Sequence, residues 1–188
     1  MPNRNIVVLT APSGAGKTTI ANRVLDAMPA MQFSVSATTR APRPDETDGE
    51  DYHFLSPEEF RARIASGDLL EYEEVYPNQF YGTLRSEVDA RAEDGPVLLD
   101  IDVKGALNVK RTYGGDALVL FVAPPSLNEL KRRLKGRGTE DPDSLQTRLN
   151  RVEQEMKRAD DCDAVVVNDD LDVAVEETLT RIRRFLKR

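Results

Sequence analysis

Residues 5–18 read as an apolar strand that runs into a glycine-bearing loop and then a helix. Asn5 to Thr10 (NIVVLT) is the β-branched, apolar run that fills a buried parallel strand. Ala11-Pro12-Ser13-Gly14-Ala15-Gly16-Lys17-Thr18 follows. It matches G-x-x-x-x-G-K-[ST] except at its first position, where Ala11 stands for glycine. A helix is expected from Lys17 to about Met28, with Ile20, Val24, Leu25 and Met28 at helical spacing and Pro29 to stop it. In that setting the backbone N–H groups from Ala11 to Thr19 can ring a nucleotide's phosphates, and the positive end of the helix adds to the attraction. Lys17 is placed to reach the β- and γ-phosphates, and Thr18 offers a hydroxyl to Mg²⁺.

The remaining pattern alternates strand and helix. Phe33 to Ser36, Val97 to Asp102, Leu118 to Val122 and Ala164 to Val167 read as strands. Ala41 to Asp51 reads as loop. Ser56-Pro57-Glu58-Glu59 is a capping-box helix start, closed by Gly67, and Ser126 with Glu129 forms a second such box before a helix to about Lys135. Further helices are expected from about Ser144 to Ala159 and from Val173 to Arg188, the last with Val175, Leu179, Ile182 and Leu186 inward. Such alternation implies an α/β fold, a parallel sheet covered on both faces in three layers. With the loop, this is the core of a P-loop NTPase. Residues 1–32, 84–124 and 161–188 are expected to form that core, with 33–83 and 125–160 inserted into it.

Composition narrows the partners. The 188 residues carry a net charge of −7, with a pI of about 4.9. This argues against nucleic acid or an anionic membrane as the main partner. Residues 33–83 hold 4 basic and 11 acidic side chains, a net of −7 that accounts for the whole excess. An anion bound there must be met by a few placed arginines. The longest apolar run, Ala117 to Ala123, is far short of a membrane span. No leader pattern precedes the first strand, and the single cysteine, Cys162, fits a reducing cytoplasm. One histidine, His53, leaves no basis for a transition-metal cluster.

A GTPase would need N-K-x-D, which is absent. A small chain with this loop and an inserted segment points to a nucleoside monophosphate kinase. Ser34-Val35-Ser36-Ala37-Thr38-Thr39-Arg40-Ala41-Pro42-Arg43-Pro44, then Glu46, then Gly49-Glu50-Asp51-Tyr52-His53-Phe54, resembles the guanylate kinase signature S-x-S-x-T-T-R-x-P-R-x-x-E-x-x-G-x-D-Y-x-F. Glu71, Tyr81-Gly82-Thr83, Leu99-Asp100-Ile101-Asp102, Gly136-Arg137-Gly138-Thr139-Glu140 and Asn168-Asp169-Asp170 extend the resemblance in family order from about Val7 to Leu186. Two departures stand out: Ala11 in the loop, and a stretch from Glu73 to Gln79 one residue longer than in some relatives.

The resemblance implies transfer of the γ-phosphoryl group of ATP to GMP, with Mg²⁺ as cofactor. It assigns the GMP phosphate to Arg40, Arg43, Tyr52 and Tyr81. It makes Glu71 the guanine reader, a carboxylate that accepts from N1–H and N2–H₂ together, with Ser36 and Thr83 at the O6/N7 edge. Asp100 faces the GMP side, and residues 33–83 become the GMP-binding segment. Residues 125–160 become a helical lid whose Arg137 and Arg148 close over the ATP phosphates, while Arg133 and Asn168 lie on the ATP side. Lys17, Arg43, Arg137 and Arg148 are the expected catalytic groups. Asp102 ends a core strand where, with Thr18, it can help hold Mg²⁺. Taken singly, Arg40 and Arg43 read equally well as surface arginines, and Glu71 as a solvated charge. Two other readings compete with the kinase. One is a guanylate-kinase-like module without catalysis that binds phosphopeptides. The other is a kinase for another small acceptor.

Overall fold

The computed structural model describes residues 5–135 and 152–188. Five strands form a wholly parallel sheet: β1 (Ile6–Thr10), β2 (Gln32–Phe33), β7 (Val97–Asp100), β8 (Ala117–Ala123) and β9 (Ala164–Val167), in the order β2-β7-β1-β8-β9. Every residue of β1 is buried, as a strand covered on both faces requires. Val7 and Leu9 point toward α1 (Lys17–Ala27) and the last helix, α6 (Leu171–Leu186). Ile6 and Val8 point to the other side, toward α3 (Arg85–Asp94) and α4 (Val103–Tyr113). Period-two alternation along one strand thus feeds two helical layers.

A second sheet is built entirely between residues 37 and 84. β3 (Ala37–Thr38), β4 (His53–Phe54), β5 (Leu69–Tyr76) and β6 (Gln79–Leu84) pair in the order β4-β3-β6-β5. α2 (Pro57–Ser66) covers it through Phe60, which stacks on Phe80 at 5.2 Å. Its capping box is complete: Ser56 accepts from the Glu59 N–H, and Glu59 accepts from the Ser56 N–H.

Several sequence expectations need correction. The strand read at Phe33–Ser36 is two strands: Gln32–Phe33 ends in the parallel sheet, and Ala37–Thr38 begins the second. The chain changes sheets between them. The strand read to Asp102 stops at Asp100, because Asp102 caps α4 by accepting from the Gly105 N–H at 2.9 Å. Before α5 (Leu127–Lys135), Ser126 accepts from the Glu129 N–H. The Glu129 carboxylate goes instead to Arg132 and Arg133, whose guanidiniums hold it at about 2, so that box is half made. In α6, Phe185 is the buried residue and Leu186 only flanks the core. Of the helix expected over 144–159, the described residues 152–156 are helical and Ala159–Asp161 is a 3₁₀ turn. Burial raises the Cys162 thiol to about 11, which leaves it unreactive.

Candidate active site

Both clefts of interest lie at the carboxyl ends of β1 and β7, where open α/β sheets bind ligands. The first, about 560 Å³, is lined after β1 by Ala11 to Gly14 and Gly16 to Thr19, and by Val75, Tyr76 and Asp102. Gly16 sits at φ 94°, a left-handed conformation that suits glycine, immediately before α1. Asn168, buried at the end of β9, donates through Nδ2 to the Ala15 carbonyl at 2.7 Å. A Cβ at residue 16 would collide with that amide, so Gly16 and Asn168 fit together as a clamp on the loop. Arg133 Nη2 reaches the Asn168 carbonyl at 3.2 Å and its Nε reaches Glu129 at 2.9 Å, which brings α5 to the same corner.

Lys17 is held by Asp100 through an ion pair and donates to the Ile101 carbonyl at 3.1 Å. The Thr18 hydroxyl donates to Asp100 Oδ2 at 3.3 Å. The carboxylate beside the loop threonine is therefore Asp100, while one oxygen of Asp102 is engaged in capping α4. Among the described residues no three or more His, Cys, Asp or Glu side chains gather into a metal cage. Thr18 with Asp100 is nevertheless a pair of hard oxygen donors, which suits Mg²⁺ held chiefly by phosphates and water.

The second cleft, about 250 Å³, shares Lys17, Val75 and Asp102 with the first and adds Ser36, Tyr52, Glu71, Tyr81 and Asp100. Glu71 is buried, 6% exposed. A regular ladder continued from Leu69↔Leu84 would set it opposite Gly82, but a bulge between Leu69 and Glu71 pairs it with Thr83. The Thr83 hydroxyl donates to Glu71 Oε1 at 2.6 Å. Burial pushes the Glu71 carboxyl up to about 7, with Asp102 and Glu73 adding to the rise and Thr83 and Lys17 opposing it.

Arg40 is aimed by Glu46. Its Nη1 and Nη2 donate to the two carboxylate oxygens at 2.7 and 2.9 Å, and the Arg43 backbone N–H donates to Glu46 at 2.7 Å. The hydrogen bonds from Arg40 hold the Glu46 carboxyl at about 2. The guanidinium lies 5.1 Å from the Tyr52 ring centre, and Tyr52 meets Tyr81 edge-on at 6.1 Å. Burial raises the Tyr52 phenol, so it remains a donor at neutral pH. Arg43 is exposed at the loop edge.

The structure thus gathers Lys17, Ser36, Tyr52, Glu71, Tyr81 and Asp100 around one cleft, with Thr18 at its border and Thr83 behind Glu71. Arg137 and Arg148 lie outside the described residues. Two contributors, and one contact of Asn168, escaped the sequence reading. Tyr76 lines the loop-side cleft from the β5–β6 turn, Gly105 packs on Glu71, and Asn168 binds loop backbone in addition to its assigned place. A glycine three residues after the capping Asp102 was the only sequence trace of the second.

A guanylate kinase family model matches residues 3–187. The guanylate kinase of Salinibacter ruber is 87% identical over 186 residues, covering 99% of each chain. That of Bacteroides thetaiotaomicron is 48% identical over 184 residues, covering 97% of this chain and 90% of the other. Among solved structures, a guanylate kinase from Anaplasma phagocytophilum superposes with a TM-score of 0.75 at 31% identity, covering 96% of this chain and 85% of its own. A gluconokinase from Sinorhizobium meliloti, at 18% identity and a TM-score of 0.54, shares the fold.

Proposed function

We propose a mechanism from one premise: the chain belongs to the guanylate kinase family and is an ATP:GMP phosphotransferase. The observation that supports the residue roles best is the shared wall of the two clefts, with Lys17 at their junction. Donor and acceptor phosphates seated on either side of Lys17 meet in line, and alignment of this kind removes much of the barrier.

ATP places its phosphates on the loop from Ala11 to Thr19, with Arg133 and Asn168 toward the adenine. Lys17 exchanges Asp100 and the Ile101 carbonyl for the β- and γ-phosphate oxygens. Thr18, Asp100 and the free oxygen of Asp102 would hold Mg²⁺, which supplies charge neutralisation across those phosphates. GMP enters the segment formed by the second sheet. Arg40, Arg43, Tyr52 and Tyr81 bind its phosphate, and Glu71 reads N1–H and N2–H₂, with Ser36 as donor at the O6/N7 edge, while Thr83, expected at that edge, gives its one O–H to Glu71. Adenine leaves the Glu71 carboxylate unpaired, a costly outcome in a buried site. No general base is needed, because the acceptor phosphate oxygen is already anionic near neutral pH. By the family pattern, Arg137 and Arg148 meet the charge spread over the equatorial oxygens of the transferring group.

The test is ADP formation from ATP with GMP, AMP, CMP or UMP, each with Mg²⁺ and with EDTA. Fast turnover with GMP alone, abolished by EDTA, is the expected result. ATP binding without phosphorylation of any acceptor contradicts the reading and returns the phosphopeptide-binding module to consideration.

A further inference from the structure

Helix α4 has a glycine at its third residue. Gly105 is buried, its N–H is engaged by Asp102, and its Cα faces the carboxylate of Glu71. A Cβ added there would meet Glu71 Oε2 at 2.6 Å and Glu71 Cδ and Cγ at 2.9 Å. These are separations that real side-chain carbons do not keep. On the other side, Thr83 donates to Oε1 at 2.6 Å. The carboxylate is therefore confined between a hydroxyl on β6 and a bare Cα on α4.

We infer that Gly105 is a positioning residue for guanine recognition: by leaving the space that the Glu71 carboxylate fills, it sets the direction in which that carboxylate faces the acceptor cleft. The inference rests on the reading of Glu71 as the guanine reader. It ties base selection to the helix that leaves β7, the strand whose end carries Asp100 beside Lys17 and Thr18.

Two responses to a methyl group at residue 105 compete. Helix α4 can retreat, or Glu71 can swing aside. Retreat disturbs Val103, Ala106 and Val109, all buried in two core clusters, and close-packed cores resist such shifts. The three atoms nearest the methyl all belong to the Glu71 side chain, so the swing is the cheaper response. Glycine is also a poor residue inside a helix, so alanine should leave α4 as stable or more so. A substitution that strengthens the helix while damaging base recognition separates positioning from a merely structural role.

The experiment is a double-mutant cycle on Gly105→Ala and Glu71→Ala, reading KM for GMP, KM for ATP and Tm. Gly105→Ala is expected to raise KM for GMP by about tenfold or more, with KM for ATP within about twofold and Tm no lower than that of Thr83→Val, which loses the same hydrogen bond. Glu71→Ala removes all three atoms that the methyl would meet, so in that background Gly105→Ala should change KM for GMP by less than about twofold. Should Gly105→Ala not fold, the double variant, which removes the atoms in the way, must fold. An unchanged KM for GMP in Gly105→Ala, effects that multiply in the cycle, a parallel rise in KM for ATP, or a double variant that also fails to fold overturns the inference. If wild type does not prefer GMP, the reading of Glu71 falls and the inference with it. A GMP preference in wild type, lost in Glu71→Ala and untouched by Gly105→Ala, overturns the inference alone.

Discussion

Thr83 donates its hydroxyl hydrogen to Glu71 Oε1 across 2.6 Å, and both residues are buried. A hydrogen bond to a carboxylate in such a place is worth about 1.5–3 kcal/mol. Thr83→Val keeps the shape and removes the bond. KM for GMP should rise by about tenfold or more, with KM for ATP unchanged, in steady-state assays at neutral pH.

The protonation of Glu71 couples stability and binding in opposite directions. Its folded value, about 7, lies above the ordinary 4.5. Between those values the folded chain keeps a proton that the unfolded chain has released, so stability falls as pH rises through the window. Relative to Glu71→Gln, wild type should lose on the order of 2–3 kcal/mol between pH 5 and 8, read from denaturation of both proteins. Guanine binding needs the ionised form, so kcat/KM for GMP should climb as pH rises through about 7. That limb should vanish in Glu71→Gln, leaving only the ionisation of the GMP phosphate near ~6.

Glu46 touches no expected ligand directly, yet it forks onto Arg40 and also takes the Arg43 N–H. A fixed guanidinium plane favours paired contacts with phosphate. Glu46→Ala releases it, and KM for GMP should rise by about tenfold while KM for ATP stays within about twofold. Parallel titrations of the two substrates check this.

On the donor side the pattern reverses. Asn168→Ala frees the Ala15 carbonyl, so it should raise KM for ATP severalfold, leave KM for GMP unchanged and cost about 1–2 kcal/mol of stability. Gly16→Ala combines a positive φ with a collision against Asn168 and should abolish ATP binding, measured by calorimetry.

The loop after β1 and the capped helix at Ser56 were legible because local chemistry decides them: a buried apolar run, glycines, a threonine beside a lysine, a capping box. The second sheet was not. β5 has three buried residues in a row, Leu69, Leu70 and Glu71, because the bulge breaks the alternation by which a strand is recognised. α3 is predominantly polar, with only Val88 buried, and offers almost no periodic signal. The family motif located Glu71 and Thr83, but their pairing depends on a register set by the bulge. Likewise, whether Asp100 or Asp102 stands beside Thr18 depends on where β7 stops. Asp102's role as a helix cap settles that in three dimensions.

The most direct measurement is the ratio of kcat/KM for GMP to that for AMP in wild type and in Glu71→Ala at neutral pH. A large preference for GMP in wild type, reduced by about two orders of magnitude or more in the variant while KM for ATP holds, is the predicted result. An unchanged ratio in Glu71→Ala would show that guanine is read elsewhere and would contradict the account.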